Sequence, residues 1–176
     1  MAERIQTASR AGALSGLALA AIAACTTIVR PFEGTVTHTY PDVVYGWKLP
    51  TACRGHTGTF NGVPLAPGQD FTLAECDEMQ AADLRKTYDA EAACMDVGKL
   101  NANQLGAFLS LGFNIGTGAV CRSSIPRKVR AGQFGAACAT IAEFDKANGK
   151  DCHLASSNCY GIIRRRTAET ALCAQH

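Results

Sequence analysis

The sequence predicts an α+β chain: a small hairpin-based lobe, a larger mainly helical lobe, and an apolar helix ahead of both. Three observations carry this expectation. Residues 11–29 hold no charged side chain, and residues 35–60 are rich in Thr, Val, Tyr and Gly, the composition of short strands and tight turns. From Thr72 onward, Ala and Leu recur among charged residues at helical spacing, the pattern of amphipathic helices. A chain of 176 residues can bury one sizeable core and carry a short extension, but it is too short for a second full domain.

The apolar segment comes first. Between Arg10 and Arg30 lie 19 uncharged residues, AGALSGLALAAIAACTTIV. As a helix they would span about 28 Å, close to the hydrocarbon thickness of a bilayer. Only Leu14, Leu17, Leu19, Ile22, Ile28 and Val29 are strongly apolar, so transfer into lipid is weakly favourable. Arg4 and Arg10 predict a cytoplasmic amino terminus and export of the remainder of the chain. Three roles fit: a cleaved secretory signal with Ala18-Leu19-Ala20 available for processing, a lipoprotein signal acylated at Cys25, or a tether that later leaves the bilayer. Marginal hydropathy at full spanning length favours the tether. No face of the segment is polar, which argues against a buried helix of a soluble fold. The expected division is therefore a signal-anchor over residues 1–30 and one domain over residues 31–176.

Beyond Pro64 and Pro67, Thr72-Leu73-Ala74-Glu75 reads as a capping box, opening one long helix that runs to about Ala93 and joins the two lobes. From Asn103 the stretch QLGAFLSLGFNIGTGAV predicts a central helix with a Gly-punctuated end. Those glycines serve tight turns and do not form a phosphate loop, because no strand precedes them and no Lys follows in place. Ser124–Arg130 and Phe134–Phe144 predict two further helices separated by Ala131-Gly132. No repeat or separate binding module is visible, so any polymer must be recognised in a cleft of the domain itself.

Charge and cysteine content narrow the function. The net charge of +2 is supplied by Arg4, Arg10 and Arg30 against Glu3, which leaves 14 basic and 14 acidic side chains in residues 31–176. Such a balance offers no field for nucleic acid, and Arg164-Arg165-Arg166 reads as a solvated helix face. Eight of the nine cysteines (Cys53, Cys76, Cys94, Cys121, Cys138, Cys152, Cys159 and Cys173) lie beyond residue 50, which predicts disulfides and an oxidising compartment. Structural zinc would show closer Cys pairs than Cys152 and Cys159. Eight cysteines leave the pairing open, and Cys25 is the ninth.

The candidate chemistry lies in residues 32–58. Glu33 and Asp42 are joined by eight residues containing Gly34 and Pro41. Two carboxyl groups are what glycosidic cleavage needs, one protonated to serve the leaving oxygen and one ionised to activate water. Alone, such a pair is common in surface loops. Its surroundings are specific: Phe32-Glu33-Gly34, Tyr40-Pro41-Asp42 and Pro50-Thr51-Ala52-Cys53-Arg54-Gly55-His56-Thr57-Gly58 resemble the active-site signature of the phage lysozymes, glycoside hydrolase family 24. Phe113-Asn114-Ile115-Gly116-Thr117-Gly118 and the ending Gly161-Ile162-Ile163-Arg164-Arg165-Arg166-Thr167-Ala168-Glu169 are similar to the same family. The stretch from Asp42 to Thr51 departs from it by being about three residues longer.

The resemblance implies a lysozyme-like two-lobed fold. It also implies an endolysin, or muramidase, that hydrolyses β-1,4 bonds of peptidoglycan with inversion. Glu33 would be the general acid, Asp42 the base and Thr51 the residue that holds the water. Tyr45 and Trp47 are candidates for stacking on sugar rings and Asn114 for substrate contact, while His56 is expected to be structural. No cofactor, metal or nucleic acid is implied, and a monomer is expected. The leading segment resembles the signal-anchor-release segments of phage endolysins, which tether the enzyme to the inner membrane and then free it to the periplasm. A released Cys25 thiol could attack a bridge near the site, with Cys53 the positional candidate. Burial beside Phe32 would keep Glu33 protonated, and a polar setting would keep Asp42 ionised. A lytic transglycosylase, which relies on one Glu, or a non-catalytic disulfide-rich wall-binding protein are the competing readings.

Overall fold

A computed structural model describes residues 14–175. Arg4, Arg10 and the first residues of the expected anchor lie outside that range. The first helix, α1, runs from Gly16 to Glu33, and the hydroxyl of Ser15 caps it by accepting the Ala18 N–H at 3.2 Å. The expected boundary at residue 30 falls inside this helix. Ala18, Ala21, Cys25 and Val29, spaced three and four apart, are fully buried, whereas Leu19 stays 56% exposed. One face of this apolar helix packs into the core of the helical lobe, despite the absence of a polar face. Small side chains make it possible: a Cβ added at Gly106 of the central helix would lie 2.8 Å from the Ala21 carbonyl and 2.9 Å from the Ala24 Cβ. Only a glycine lets the two backbones come so close.

Next in the chain is the small lobe. Strands β1 (Val36–Asp42), β2 (Gly46–Cys53) and β3 (His56–Thr57) form one antiparallel sheet in that order, and β4 (Thr59–Phe60) pairs with β5 (Val63–Pro64). Pro41 faces Pro50, so a regular ladder would set Asp42 opposite Leu49. Asp42 faces Gly46 instead, which leaves Trp47, Lys48 and Leu49 as three extra residues on β2. This bulge is the structural form of the lengthened Asp42–Thr51 stretch. Ala52, Cys53, Leu65, Cys76 and Met79 build the core of this lobe, with Phe60 and Phe71 packed edge to face against it.

Helix α2 (Leu73–Ala92) opens on the expected capping box: the Thr72 hydroxyl accepts the Glu75 N–H at 3.2 Å, and the Glu75 carboxylate accepts the Thr72 N–H at 2.7 Å. It leads to α3 (Ala102–Ile115), α4 (Thr117–Arg122), α5 (Ile125–Arg130) and α6 (Phe134–Ala139), then the short hairpin β6 (Lys146–Ala147) and β7 (Lys150–Asp151), and finally α7 (Tyr160–Cys173). The sequence pattern does not predict α4, because its Gly-Thr-Gly opening reads as a turn. α1, α3 and α7 form the centre of the helical lobe, and its core runs from Ala21 to Cys173.

Four disulfides close the fold: Cys53–Cys76, Cys94–Cys121, Cys138–Cys173 and Cys152–Cys159. Cys25 is the free cysteine and is buried. It belongs to the core of the helical lobe, while Cys53 belongs to that of the small lobe.

Candidate active site

Glu33 is the last residue of α1, and Gly34, with φ +67°, turns the chain away into β1. A backbone angle in that region suits glycine, which explains the Glu-Gly pair. The carboxyl sits at a cleft of about 610 Å³ between the lobes, walled by Arg54, Gly55 and Thr57 on one side and by Gly112, Phe113 and Asn114 on the other. A second recess of about 300 Å³, lined by Phe32, Glu33, Asn114 and Arg165 among others, continues from it.

What holds Glu33 is a buried ionic network. Arg165 of α7 donates from Nη1 to Glu33 Oε1, from Nε to Glu169 at 3.1 Å and from Nη2 to the Ser110 carbonyl at 3.2 Å. Ser110 donates to Glu169 at 2.7 Å. Arg166 donates to the other Glu169 oxygen, to the Phe144 carbonyl and to Asn114 Oδ1. Arg165, Arg166 and Glu169 are all buried, so of the arginine run only Arg164 lies on the solvated face expected of it. Two arginines offset Glu33 and Glu169, and both Glu169 oxygens are hydrogen-bonded, the condition under which buried charges are tolerated. The surroundings of Glu33 are not purely apolar as expected: Phe32 and Phe113 lie along its recesses, but Phe32 sits under the Arg165 guanidinium, 5.9 Å from ring centre to Cζ, and the carboxyl takes that cation as its partner.

Asp42 lies at the end of β1. Its Oδ1 accepts the N–H groups of Val44 and Tyr45, each at 2.8 Å, so the carboxylate shapes the hairpin turn. Those N–H groups, Tyr45 first, hold its pKa below the usual carboxylate range. Thr51 is buried opposite Tyr40 and Thr57, and its hydroxyl donates to the Leu49 carbonyl at 3.2 Å. Glu33 and Asn114 therefore share one cleft, whereas Asp42, Thr51, Tyr45 and Trp47 do not line it.

Tyr40, in β1, lies near both carboxyl groups. Burial raises its phenol pKa first, and the negative charges of Glu33 and Asp42 raise it further, while the Gly55 backbone lowers it. Tyr40 is thus near enough to the proposed acid and base to feel both charges. In the sequence Tyr40 and Arg165 stand out only as parts of motifs, and nothing there marks the contact of Arg165 with Glu33, 132 residues away. Only the fold brings those two residues together.

His56 has the structural role expected of it. Nδ1 meets Asp83 at 2.7 Å and Nε2 meets the Thr59 carbonyl at 3.2 Å. Both neighbours accept, so both ring nitrogens donate and the imidazolium is favoured. The hydrogen bond to Asp83 raises its pKa above the ordinary 6.5.

Comparison with known proteins agrees with this architecture. The family model "Phage lysozyme" matches residues 30–169. The chain is similar to the SAR-endolysin of Escherichia phage 933W, 33% identical over 140 residues that cover 80% of this chain and 77% of the relative. It is also similar to the endolysin of Salmonella phage P22, 34% identical over 124 residues that cover 70% and 79%. Among solved structures, a mutant P22 lysozyme superposes with a TM-score of 0.70 at 31% identity, covering 88% of this chain and 95% of that one. The muramidase domain of SpmX from Asticaccaulis excentricus gives 0.70 at 26% identity, covering 87% and 96%.

Proposed function

The chain belongs to the phage lysozyme family, and from that premise we propose that it is an endolysin that cuts peptidoglycan strands between N-acetylmuramic acid and N-acetylglucosamine by an inverting hydrolysis. The observation that carries this reading is Glu33, set at an interlobe cleft and clamped by Arg165. Arg165 engages Oε1, so Oε2 is the oxygen left to carry the proton that the leaving glycosidic oxygen receives. Asp42, kept ionised by the Val44 and Tyr45 N–H groups, accepts a proton from a water attacking the opposite face of the sugar. Thr51 helps to hold that water, and the new C–O bond leaves a reducing muramic end. Asn114 contacts the glycan within the cleft, whereas Tyr45 and Trp47, which do not line it, are given no glycan contact. The domain acts as a monomer on glycan and not on nucleic acid.

The helix that ends in Glu33 is apolar and long enough to cross a bilayer. In this reading it first tethers the chain to the inner membrane, then leaves it and seats against α3. Glu33 reaches the cleft only in the seated state, so the tethered enzyme is inactive. Exchange of the Cys25 thiol with the Cys53–Cys76 bridge, which would release the Cys76 thiol, belongs to the interval before seating, because the seated helix buries Cys25 in the core of the helical lobe.

Clearing of purified peptidoglycan by Glu33→Gln and Asp42→Asn variants, with analysis of the wild-type product, tests the assignment. Both variants should be inert, and the wild type should give a reducing muramic end of inverted configuration. Wild-type lysis by Glu33→Gln overturns the acid, and an anhydro product overturns hydrolysis in favour of a transglycosylase.

A further inference from the structure

The turn just after Asp42 is apolar where hairpin turns are ordinarily polar. Val43 is 97% exposed, Val44 76%, Tyr45 63% and Trp47 48%, so four large apolar side chains crowd into five positions and project outward. None belongs to the core of either lobe. The projection is fixed: Asp42 ties down the N–H groups of Val44 and Tyr45, and the three-residue bulge sets Trp47 and the exposed Lys48 just behind the tip. An apolar cap of this kind has a cost in water of roughly 25 cal/mol per Å² and gains nothing inside the chain.

Its chemistry favours one occupant. Val43 and Val44 have nothing to offer the hydroxyls of a sugar. Tyr45 and Trp47 carry their polar atoms at one edge of an apolar ring, the pairing enriched at the interface between lipid and water. Lys48 adds a cation that suits anionic headgroups. The bilayer is also within reach: 12 residues lie between Arg30, at the end of the apolar span, and Val43, at most about 45 Å of chain. We propose that the hairpin tip at residues 43–47 is a membrane-interface contact, in which Val43, Val44 and Tyr45 enter the headgroup region of the bilayer spanned by α1 while Trp47 and Lys48 sit at its surface. This rests on the tethering proposed above. It gives the tethered chain a second attachment and keeps Asp42, at the base of the tip, against lipid and away from glycan.

Trp47 is the only tryptophan, so its emission reports the tip alone. The full chain is reconstituted into phosphatidylethanolamine–phosphatidylglycerol vesicles. Co-sedimentation reads the tether, and quenching of Trp47 by aqueous iodide or by lipids brominated near the headgroup reads the tip. In vesicles the emission shifts to the blue, brominated lipid quenches it, and iodide quenching falls by a factor of about three relative to the free protein. A Val43→Ser variant, changed at the most exposed residue of the tip, still sediments with the vesicles and clears purified peptidoglycan as the wild type does, but its Trp47 regains iodide access. A wild-type protein that sediments with Trp47 as open to iodide as in solution overturns the membrane contact while leaving the tether standing. Failure to sediment overturns the tether, and this contact with it. Trp47 emission that responds to glycan fragments and not to vesicles assigns the tip to substrate instead.

Discussion

Glu91, near the end of α2, offers the sharpest test of how this core is built. It is fully buried, and neither carboxyl oxygen has a hydrogen-bond partner among the described residues. Gly112 of α3 makes room for it, since a Cβ there would lie 2.1 Å from Oε1. Burial raises its pKa from 4.5 to about 8, so the folded chain keeps this proton across the neutral range while the unfolded chain releases it near 4.5. Between those values the unfolded state binds fewer protons, and stability falls as pH rises. The slope is about 1.4 kcal/mol per pH unit, which by pH 7 amounts to about 3 kcal/mol. Glu91→Gln keeps the shape and cannot ionise. Its own unpaired amide shifts stability by a constant, so the pH-dependent part of the difference belongs to the carboxyl alone. Urea unfolding of the oxidised full chain at pH 4.5, 6, 7 and 8 should show the variant gaining on the wild type by about 3 kcal/mol from pH 4.5 to 7, or about 6 to 12 °C in Tm. Other titrating groups, His56 among them, are common to both proteins and cancel. A difference that stays constant across the four pH values refutes the neutral buried carboxyl.

The same contacts carry four further outcomes. Arg165→Lys keeps one charge but cannot serve Glu33, Glu169 and the Ser110 carbonyl together, so kcat on purified peptidoglycan should fall by about tenfold or more with KM little changed, a loss of positioning. Gly106→Ala pushes a Cβ into the Ala21 carbonyl and should cost about 1–3 kcal/mol in urea unfolding, with soluble activity lost in parallel as α1 unseats. The pair between His56 and Asp83 is complete below pH 6.5 and is lost as pH rises through the raised imidazole value; His56→Gln should therefore be less stable by about 2 kcal/mol at pH 5.5, with the gap closing in alkali. Replacing both Cys53 and Cys76 by Ser opens a loop of sequence separation 23 and should cost about 3 kcal/mol, read by the same unfolding experiment.

Local signals were legible in the sequence. The Thr72 capping box, the helix over residues 73–92 and the lengthened Asp42–Thr51 hairpin involve neighbours a few residues apart, and each has its counterpart in the structure. What escaped depends on contacts distant in the chain. Arg165 and Arg166 read as surface charge until α7 packs on α3 and finds Glu169, Ser110 and Glu33 around them. The disulfide partners were likewise beyond reach, because their loops close only in the fold. α4 was missed for the opposite reason, since local glycine preference predicts a turn that helix packing overrides.

The composition of α1 makes sense only when both of its environments are considered together. Close contact with Gly106 demands small residues at Ala21, Ala24 and Cys25, and the same small residues contribute little transfer energy per position. A span of leucines would bind lipid strongly and could not approach α3; a span of alanines alone would pack but would not hold the bilayer. Leu17, Leu19, Ile22 and Ile28 supply the apolar excess. Of these, Leu19 remains exposed in the seated state, while Leu17, Ile22 and Ile28 pack at the margin of the core. On the tethering proposed here, the small face favours release and the larger side chains favour the membrane, with Glu33 at the end of the same helix. The position of the acid is then set by the balance between the two faces. Replacing Ala18 and Ala21 with leucine should shift that balance twice over: it strengthens membrane retention and blocks seating on α3, so co-sedimentation with vesicles rises while lytic activity disappears. Stronger retention with normal lysis would separate the two roles and refute the coupling.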